Sequence, residues 1–264
     1  KNIKDLKSRN QLEIKYKIAS ELNVKYSLTP KPILNNKNNY ITINKNIDYW
    51  LMMSFFDGDY FSGKLEQIAI VGKAFKKFND SLASCELCKS LTTAEHVNHL
   101  HITSKLIDQL ITNNKLWEKY FNPMICKHLK LSVKLIDKNM DKLVDYERKI
   151  DKNKVPLHID IHPHNLLISH DDVVNFLDIE SLFNGNINNS IGFGLFKLGR
   201  QVIIFNNNRN IRPARLFLKS MNEEASKEVL EMFLYSAISE IMRRISIISD
   251  LNFNKQDSLW NDAL

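Results

Sequence analysis

The spacing of apolar residues changes several times along the chain, and each change predicts a different kind of element. From Gln11 to Leu22 apolar and charged residues alternate at roughly helical spacing, which predicts an amphipathic helix. The Thr-Pro-Lys-Pro segment at 29–32 ends it. Short apolar runs at Tyr40–Ile43 and Tyr49–Phe55, on either side of a polar turn at 44–46, predict two strands. The chain therefore opens with a helix and a hairpin.

A long helical region follows the second strand. A turn signal, Asp-Gly-Asp, stands at 57–59, and from there to residue 150 the pattern carries few strand cues. Helices are predicted over three segments: Leu65–Leu82, Thr103–Asn113 and Pro123–Tyr146. The change of pattern at the turn predicts a boundary between two lobes, one over residues 1–56 and the other over residues 57–264.

Short apolar runs return at Val155 and predict strands at Leu166–Ser169 and Val173–Leu177, joined by a polar turn. After a loop at Asn184–Asn189, helical spacing resumes over two segments, Gly192–Phe205 and Glu223–Ser249. Helices mixed with short hairpins in this way predict the α+β fold class.

Composition narrows the possible partners. The chain has 264 residues, 44% of them hydrophobic, which is enough for a proper core. A net charge of +7 suits an anionic partner, but the lysines are scattered and no nucleic-acid-binding pattern accompanies them, so we expect no nucleic-acid partner. Three cysteines predict no disulfide framework and a reducing compartment. No apolar run approaches the roughly 20 residues that span a membrane, and a cytoplasmic location without membrane contact is expected.

The most informative segment is His-Ile-Asp-Ile-His-Pro-His-Asn at 158–165, which an apolar hairpin separates from Leu-Asp-Ile-Glu at 177–180. Phosphoryl transfer needs a carboxylate that orients or deprotonates the acceptor hydroxyl, and oxygen ligands that hold magnesium against nucleotide phosphates. Asp160, Asn165 and Asp178 can supply these groups. The hairpin would return Asp178 to the loop that carries the other two.

This layout resembles the catalytic signature of the aminoglycoside phosphotransferase and choline kinase family, in which a His-x-Asp-x-x-x-x-Asn loop precedes an apolar strand ending in Asp. The segment Tyr49–Gly58 is similar to that family's hinge strand, and the helix at 11–22 with the following Pro-x-Pro is similar to its small-lobe helix. The resemblance implies a bilobal protein-kinase-like fold. It also implies transfer of the terminal phosphate of ATP or GTP, with Mg²⁺, to a hydroxyl group of a small molecule.

The resemblance also implies roles for individual residues. Asp160 would accept or orient the acceptor hydroxyl, with His158 bracing the catalytic loop and His162 lining the acceptor side. The metal ligands would be Asn165, Asp178 and, for a second magnesium or nucleotide contact, Glu180.

Nucleotide binding would involve the small lobe. Backbone groups of Ser54, Phe55 and Phe56 would meet the adenine, and Glu13 would pair with a phosphate-contacting lysine. The glycine-rich loop and the strand bearing that lysine would stand before residue 1; if the protein lacks them, a pseudokinase that binds nucleotide without transferring phosphate becomes the alternative. Asn188-Asn189-Ser190 stands where the family usually carries a structural aspartate.

Three other interpretations start from single residue types. His158, Asp160, His162 and His164 alternate and could form the metal cluster of a hydrolase, although Pro163 argues against a regular strand. Cys85 and Cys88, with downstream histidines at 96, 99 and 101, could bind zinc, but we expect unliganded thiols because the spacing is short. The tryptophans at 50, 117 and 260 could cage a quaternary ammonium, but core packing is favoured.

Overall fold

The computed structural model describes residues 6–43, 49–93, 123–150, 152–206, 212–223 and 226–250. The helices within these residues are α1 (Leu6–Tyr26), α2 (Leu65–Ala83), α3 (Pro123–Ile150), α4 (Ile187–Asn206), α5 (Arg212–Ser220) and α6 (Lys227–Asp250). The strands are β1 (Pro32–Ile33), β2 (Ile41–Ile43), β3 (Tyr49–Met53), β4 (Asp59–Tyr60), β5 (Lys154–His158), β6 (Leu166–Ile168), β7 (Val174–Phe176) and β8 (Leu182–Asn186). Short 3₁₀ turns occupy Glu86–Ser90, Pro163–Asn165 and Ile179–Ser181.

The small lobe consists of α1 and an antiparallel sheet with the order β1-β3-β2. Side chains alternate along β3, so that Leu51 and Met53 face inward while Trp50 and Met52 are 67% and 63% exposed. Trp50 therefore lies on the outer face of the sheet and belongs neither to the core nor to an aromatic cage in the cleft. Trp117 and Trp260 lie outside the described residues.

The large lobe begins with β4, which pairs with β6 so that Asp59 stands opposite Ile168. The sequence carries few strand cues between residues 57 and 150, and β4 was not predicted. β4 has only two residues, too few to show a periodicity, and its partner is more than a hundred positions away. Gly58 fits beside β6 because a Cβ there would lie 2.8 Å from the Ile168 carbonyl oxygen.

A second antiparallel pair of strands lies beside the loop at 159–165. β5 pairs with β8 over five residues, from Lys154 opposite Asn186 to His158 opposite Leu182. The predicted loop at Asn184–Asn189 is therefore wrong: its first half is strand and its second half is the start of α4. Asparagine and glycine favour turns locally, but the ladder to β5 outweighs that preference.

The other predicted elements are confirmed, with ends that differ from the predicted ones by up to five residues in the helices and up to two in the strands. They are α1, α2, α3, α4 and α6, and strands β2, β3, β6 and β7. α5 was not predicted, and the predicted helix Thr103–Asn113 lies outside the described residues. In the part of the chain that the structure describes, no helix combines the length and apolar character that a membrane span requires.

An aromatic stack forms the centre of the main core. The rings of Phe78 and Phe176 are stacked with centroids 4.2 Å apart, and Phe75 stacks on Phe217 at 6.0 Å. All four side chains are almost completely buried. Because Phe78 also meets the ring of His158 edge-on at 6.3 Å, this core directly contacts the start of the loop at 159–165. A smaller cluster joins α3 to α6.

Candidate active site

His158 ends β5 and is fully buried beneath the loop that follows it. Its Nε2 lies 2.8 Å from the carbonyl oxygen of Leu177, and its Nδ1 accepts a hydrogen bond from the Asp160 N–H at 3.2 Å. The ring is therefore neutral, with its proton on Nε2, and burial lowers its pKa. Both nitrogens are used within the protein, so His158 is not available as a metal ligand, and the hydrolase cluster would lack its first member.

Asp160 extends from the loop with a half-exposed carboxylate. His162 caps the next 3₁₀ turn by accepting from the His164 N–H, which leaves its Nε2 facing Asp160 Oδ2 at 3.4 Å. Burial alone would raise the pKa of Asp160, but the hydrogen bond and charge of His162 outweigh it and hold the pKa below its usual value. Asp160 is thus ionised at neutral pH and can accept a hydrogen bond from a hydroxyl group.

Asn165 is buried, and a hydrogen bond fixes the orientation of its side-chain amide. Its side-chain Nδ2 donates to the Asp160 carbonyl oxygen at 2.9 Å, which fixes the orientation of the amide. Its Oδ1 has no hydrogen-bond partner among the described residues. That oxygen is the atom a magnesium ion would need.

Asp178 follows β7 and adopts a left-handed backbone conformation, with φ 50° and ψ 54°. Ser181 holds it from one side, since its hydroxyl donates to Asp178 Oδ2 at 2.7 Å. The residue before it, Leu177, donates its N–H to the Asn165 carbonyl oxygen at 2.9 Å and receives His158 on its own carbonyl oxygen. The hairpin therefore brings Asp178 beside the loop of Asp160 and Asn165, as the sequence suggested.

A residue of α4 is hydrogen-bonded to the residue at which this loop begins. Ser190 Oγ donates to the His158 carbonyl oxygen at 2.9 Å, at the place where the resemblance leads one to expect an aspartate. The start of the helix is capped by Asn186, whose Oδ1 accepts from the N–H groups of Asn188 and Asn189.

A cleft of about 470 Å³ lies between the lobes. The predicted hinge residues Ser54, Phe55 and Phe56 line it together with Asp178 and Glu180. The N–H of Ser54 already donates to the Lys31 carbonyl oxygen, and its hydroxyl accepts from the Lys31 N–H. Donors for an adenine would therefore come from Phe55 or Phe56.

Glu13 does not line that cleft. Its two carboxylate oxygens accept the backbone N–H groups of Tyr40 and Ile41, at 3.1 and 3.0 Å. In the described part of the chain it thus joins α1 to β2, and its expected pairing with a lysine stays a prediction.

Three residues that sequence reasoning missed contact Glu180. Tyr16 and Tyr49 donate their hydroxyls to Glu180 Oε1, and Lys15 Nζ donates to its carbonyl oxygen. Burial lowers the pKa of Lys15 to about 8, against the opposing effect of Glu180 and Asp178. Lys15 follows Leu12 at helical spacing on the buried face of α1. A charged residue within an apolar stripe is unusual, and this signal in the sequence could have identified Lys15 as a residue with a specific partner.

The oxygen donors fit a hard dication only in part. Asp178 and Asn165 present carboxylate and amide oxygens, which magnesium prefers. The side chain of Glu180 is already engaged by two tyrosines. Among the described residues no group of three or more His, Cys, Asp or Glu side chains is placed to hold a metal.

A small lobe joined to a larger helical lobe, with a cleft between them and an Asp-Asn loop facing a β-hairpin aspartate, defines a bilobal protein-kinase-like fold. The α+β, kinase-like prediction is confirmed by comparison with solved structures. No protein-family model matches the chain, and no curated protein matches its sequence.

The similar structures are phosphotransferases and kinases of small molecules. An aminoglycoside phosphotransferase from Alicyclobacillus acidocaldarius aligns with a TM-score of 0.66 and 11% identity, over 100% of this chain and 79% of the other. A spectinomycin phosphotransferase solved with ADP and spectinomycin gives 0.65 and 14%, over 94% and 76%. A choline/ethanolamine kinase family protein from Mesorhizobium loti gives 0.55 and 12%, over 96% and 76%. At these identities the likeness concerns the fold.

Proposed function

We propose that this chain is a small-molecule kinase, which transfers the terminal phosphate of ATP or GTP to a hydroxyl group of a small acceptor. The observation that carries the proposal is that the loop of Asp160 and Asn165 is hydrogen-bonded to Leu177, which lines the interlobe cleft together with Asp178. The spectinomycin phosphotransferase and the amicoumacin kinase of similar fold were solved with ADP and with AMP-PNP, which supports a nucleotide as the ligand of the cleft.

Asp160 would act on the acceptor. Its ionised carboxylate accepts the hydrogen bond of the acceptor hydroxyl and so orients the oxygen toward the terminal phosphorus. As the new P–O bond forms and the bond to the nucleoside diphosphate breaks, the hydroxyl proton passes to Asp160. Its lowered pKa makes Asp160 a weak base. Its main contribution is therefore to orient the acceptor hydroxyl, and the proton transfer follows late in the reaction.

Asn165 and Asp178 would hold Mg²⁺, which neutralises charge on the phosphates when bound. His158 does not touch the reacting atoms; it fixes the backbone of Asp160 and Leu177 and is a positioning residue. His162 lies 3.4 Å from the Asp160 carboxylate, lowers its pKa, and would face the acceptor.

A nucleotide-binding protein that transfers no phosphate is the second candidate. The observation that favours it is that both Glu13 carboxylate oxygens accept backbone N–H groups, those of Tyr40 and Ile41, so that Glu13 has a structural role that needs no phosphate-contacting lysine.

The test compares Asp160→Asn with Asp178→Asn, in a screen of hydroxyl compounds read by nucleotide consumption and by binding of magnesium-nucleotide. Asp160→Asn should lower turnover by roughly 10²- to 10⁴-fold while affinity stays nearly unchanged. Asp178→Asn should also weaken magnesium-dependent binding, because an amide is a poorer ligand than a carboxylate for a hard dication.

Asp171→Asn is the matched control, since Asp171 is exposed in the turn of the same hairpin. Full turnover in Asp160→Asn would exclude the catalytic assignment. Binding of nucleotide without consumption of it, with every acceptor tried, would support the second candidate instead.

A further inference from the structure

Glu180 is held by three donors from the small lobe. The Tyr49 hydroxyl on β3 lies 2.6 Å from Glu180 Oε1, and the Tyr16 hydroxyl on α1 lies 3.2 Å from the same oxygen. Lys15, also on α1, places Nζ 2.6 Å from the Glu180 carbonyl oxygen. Two separate elements of the small lobe thus converge on one residue of the large lobe.

The two hydroxyl donors keep their protons, and the lysine is held in place by its surroundings. Burial, with the neighbouring Glu180 carboxylate, raises the pKa of Tyr16 and of Tyr49, so both hydroxyls keep their protons and donate them. Lys15 is 4% exposed and lies over the ring of Phe183, with Nζ 3.4 Å from the ring centroid. A carboxylate that accepts two hydroxyl hydrogen bonds is oriented more firmly than one in solvent.

Glu180 belongs to the same tight turn as Asp178. The Ser181 N–H donates to the Asp178 carbonyl oxygen at 2.8 Å, and the Ser181 hydroxyl holds the Asp178 carboxylate. Only Ile179 separates Asp178 from Glu180 in this turn. A displacement of Glu180 would therefore also displace the backbone of Asp178. Both acids line the cleft.

α1 makes a second contact with the large lobe about one turn before Lys15. The Gln11 amide donates to the Ser90 carbonyl oxygen and accepts from the Thr92 N–H. The helix that carries Lys15 and Tyr16 is therefore held at two points, and its position decides whether the contacts to Glu180 can form.

We propose that Tyr49, Tyr16 and Lys15 are positioning residues, which hold the Asp178–Glu180 turn so that binding of a magnesium-nucleotide depends on the small lobe being docked on it. This inference rests on the proposed function, because it concerns the affinity of the same cleft. It assigns to Glu180 a role between the lobes: its carboxylate connects the nucleotide site to α1 and β3.

The test is Tyr49→Phe, which removes one hydroxyl and leaves the ring. Calorimetric titration with ADP is carried out with and without Mg²⁺. The expected result is about tenfold weaker binding of magnesium-ADP, because one charge-assisted hydrogen bond to the Asp178–Glu180 turn is lost. Metal-free ADP should bind nearly as it does to the parent. Tyr40→Phe is the matched control, because Tyr40 is a half-buried small-lobe tyrosine without a hydrogen bond to Glu180.

A double-mutant cycle separates this role from general destabilisation. In a Glu180→Ala background, Tyr49→Phe should have no further effect on magnesium-ADP binding, because its partner is gone. If Tyr49→Phe does not fold, Tyr16→Phe replaces it, with a smaller loss of about threefold expected from the longer hydrogen bond.

The outcomes are distinguishable. If the parent binds neither ADP nor magnesium-ADP, the proposed function fails and this inference fails with it. If the parent binds magnesium-ADP, three results would overturn only the positioning role. Tyr49→Phe could bind magnesium-ADP as well as the parent, or it could lose affinity for ADP equally with and without the metal. The substitution could also keep its effect in the Glu180→Ala background.

Discussion

Buried His158 should make the stability of the fold depend on pH. The side chain is 0% exposed, and burial, the largest cause, lowers its pKa from the ordinary value near 6.5. The unfolded chain therefore binds a proton more readily than the folded one, so stability is full above pH 6.5 and is lost as the pH falls toward the folded pKa. Below pH 6.5 the loss for one such histidine is at most about 1.4 kcal/mol for each pH unit, the limit set by one extra proton bound to the unfolded chain.

His158→Gln removes the titration and one of two hydrogen bonds. A glutamine amide can still donate to the Leu177 carbonyl oxygen, but it leaves the Asp160 N–H without its present acceptor. An unpaired buried N–H costs about 1–3 kcal/mol. The variant should therefore be less stable at pH 7.5 by about that amount, and its stability should fall less than that of the parent on acidification.

The assay is urea unfolding followed by circular dichroism at pH 7.5, 6.5 and 5.5. His170→Gln is the control, because His170 is exposed in the β6–β7 turn and its replacement should leave the pH dependence unchanged. If His158→Gln and the parent lose the same stability between pH 7.5 and pH 5.5, the histidine is not held neutral, and the reasoning from its burial is refuted.

Two further predictions concern packing. Phe78→Ala should lower the free energy of unfolding by about 3–5 kcal/mol, measured by urea unfolding, because the ring is fully buried and stacked on Phe176; a loss below about 1 kcal/mol would contradict this packing. Gly72→Ala should destabilise the contact of α2 with α5 by roughly 1–3 kcal/mol, because a Cβ there would lie 1.8 Å from Ser220 Oγ and 2.9 Å from the Phe217 carbonyl oxygen. Adding Ser220→Ala should restore part of that loss, and Gly199→Ala, with nothing within 4 Å of the new methyl group, should be neutral or stabilising.

The sequence by itself determined the elements whose signals are local. The helical spacing at 11–22 and the β6–β7 hairpin are set by neighbours a few residues apart, and each was found within a few residues of its true ends. The grouping of Asp160, Asn165 and Asp178 was also accessible, because one loop and one hairpin span the whole motif. The proposed roles of these residues stay predictions.

Tertiary structure decided the contacts between residues far apart in the chain. The ladder of β5 with β8 turned an asparagine-rich loop into strand. The two carboxylate oxygens of Glu13 meet the amides of Tyr40 and Ile41, and Glu180 meets Tyr49 and Tyr16 at separations of 131 and 164 residues. No periodicity encodes such pairs, because they form only when α1, β3 and the Asp178 turn are packed together, and the hydrogen bonds then satisfy polar groups that this packing has removed from water.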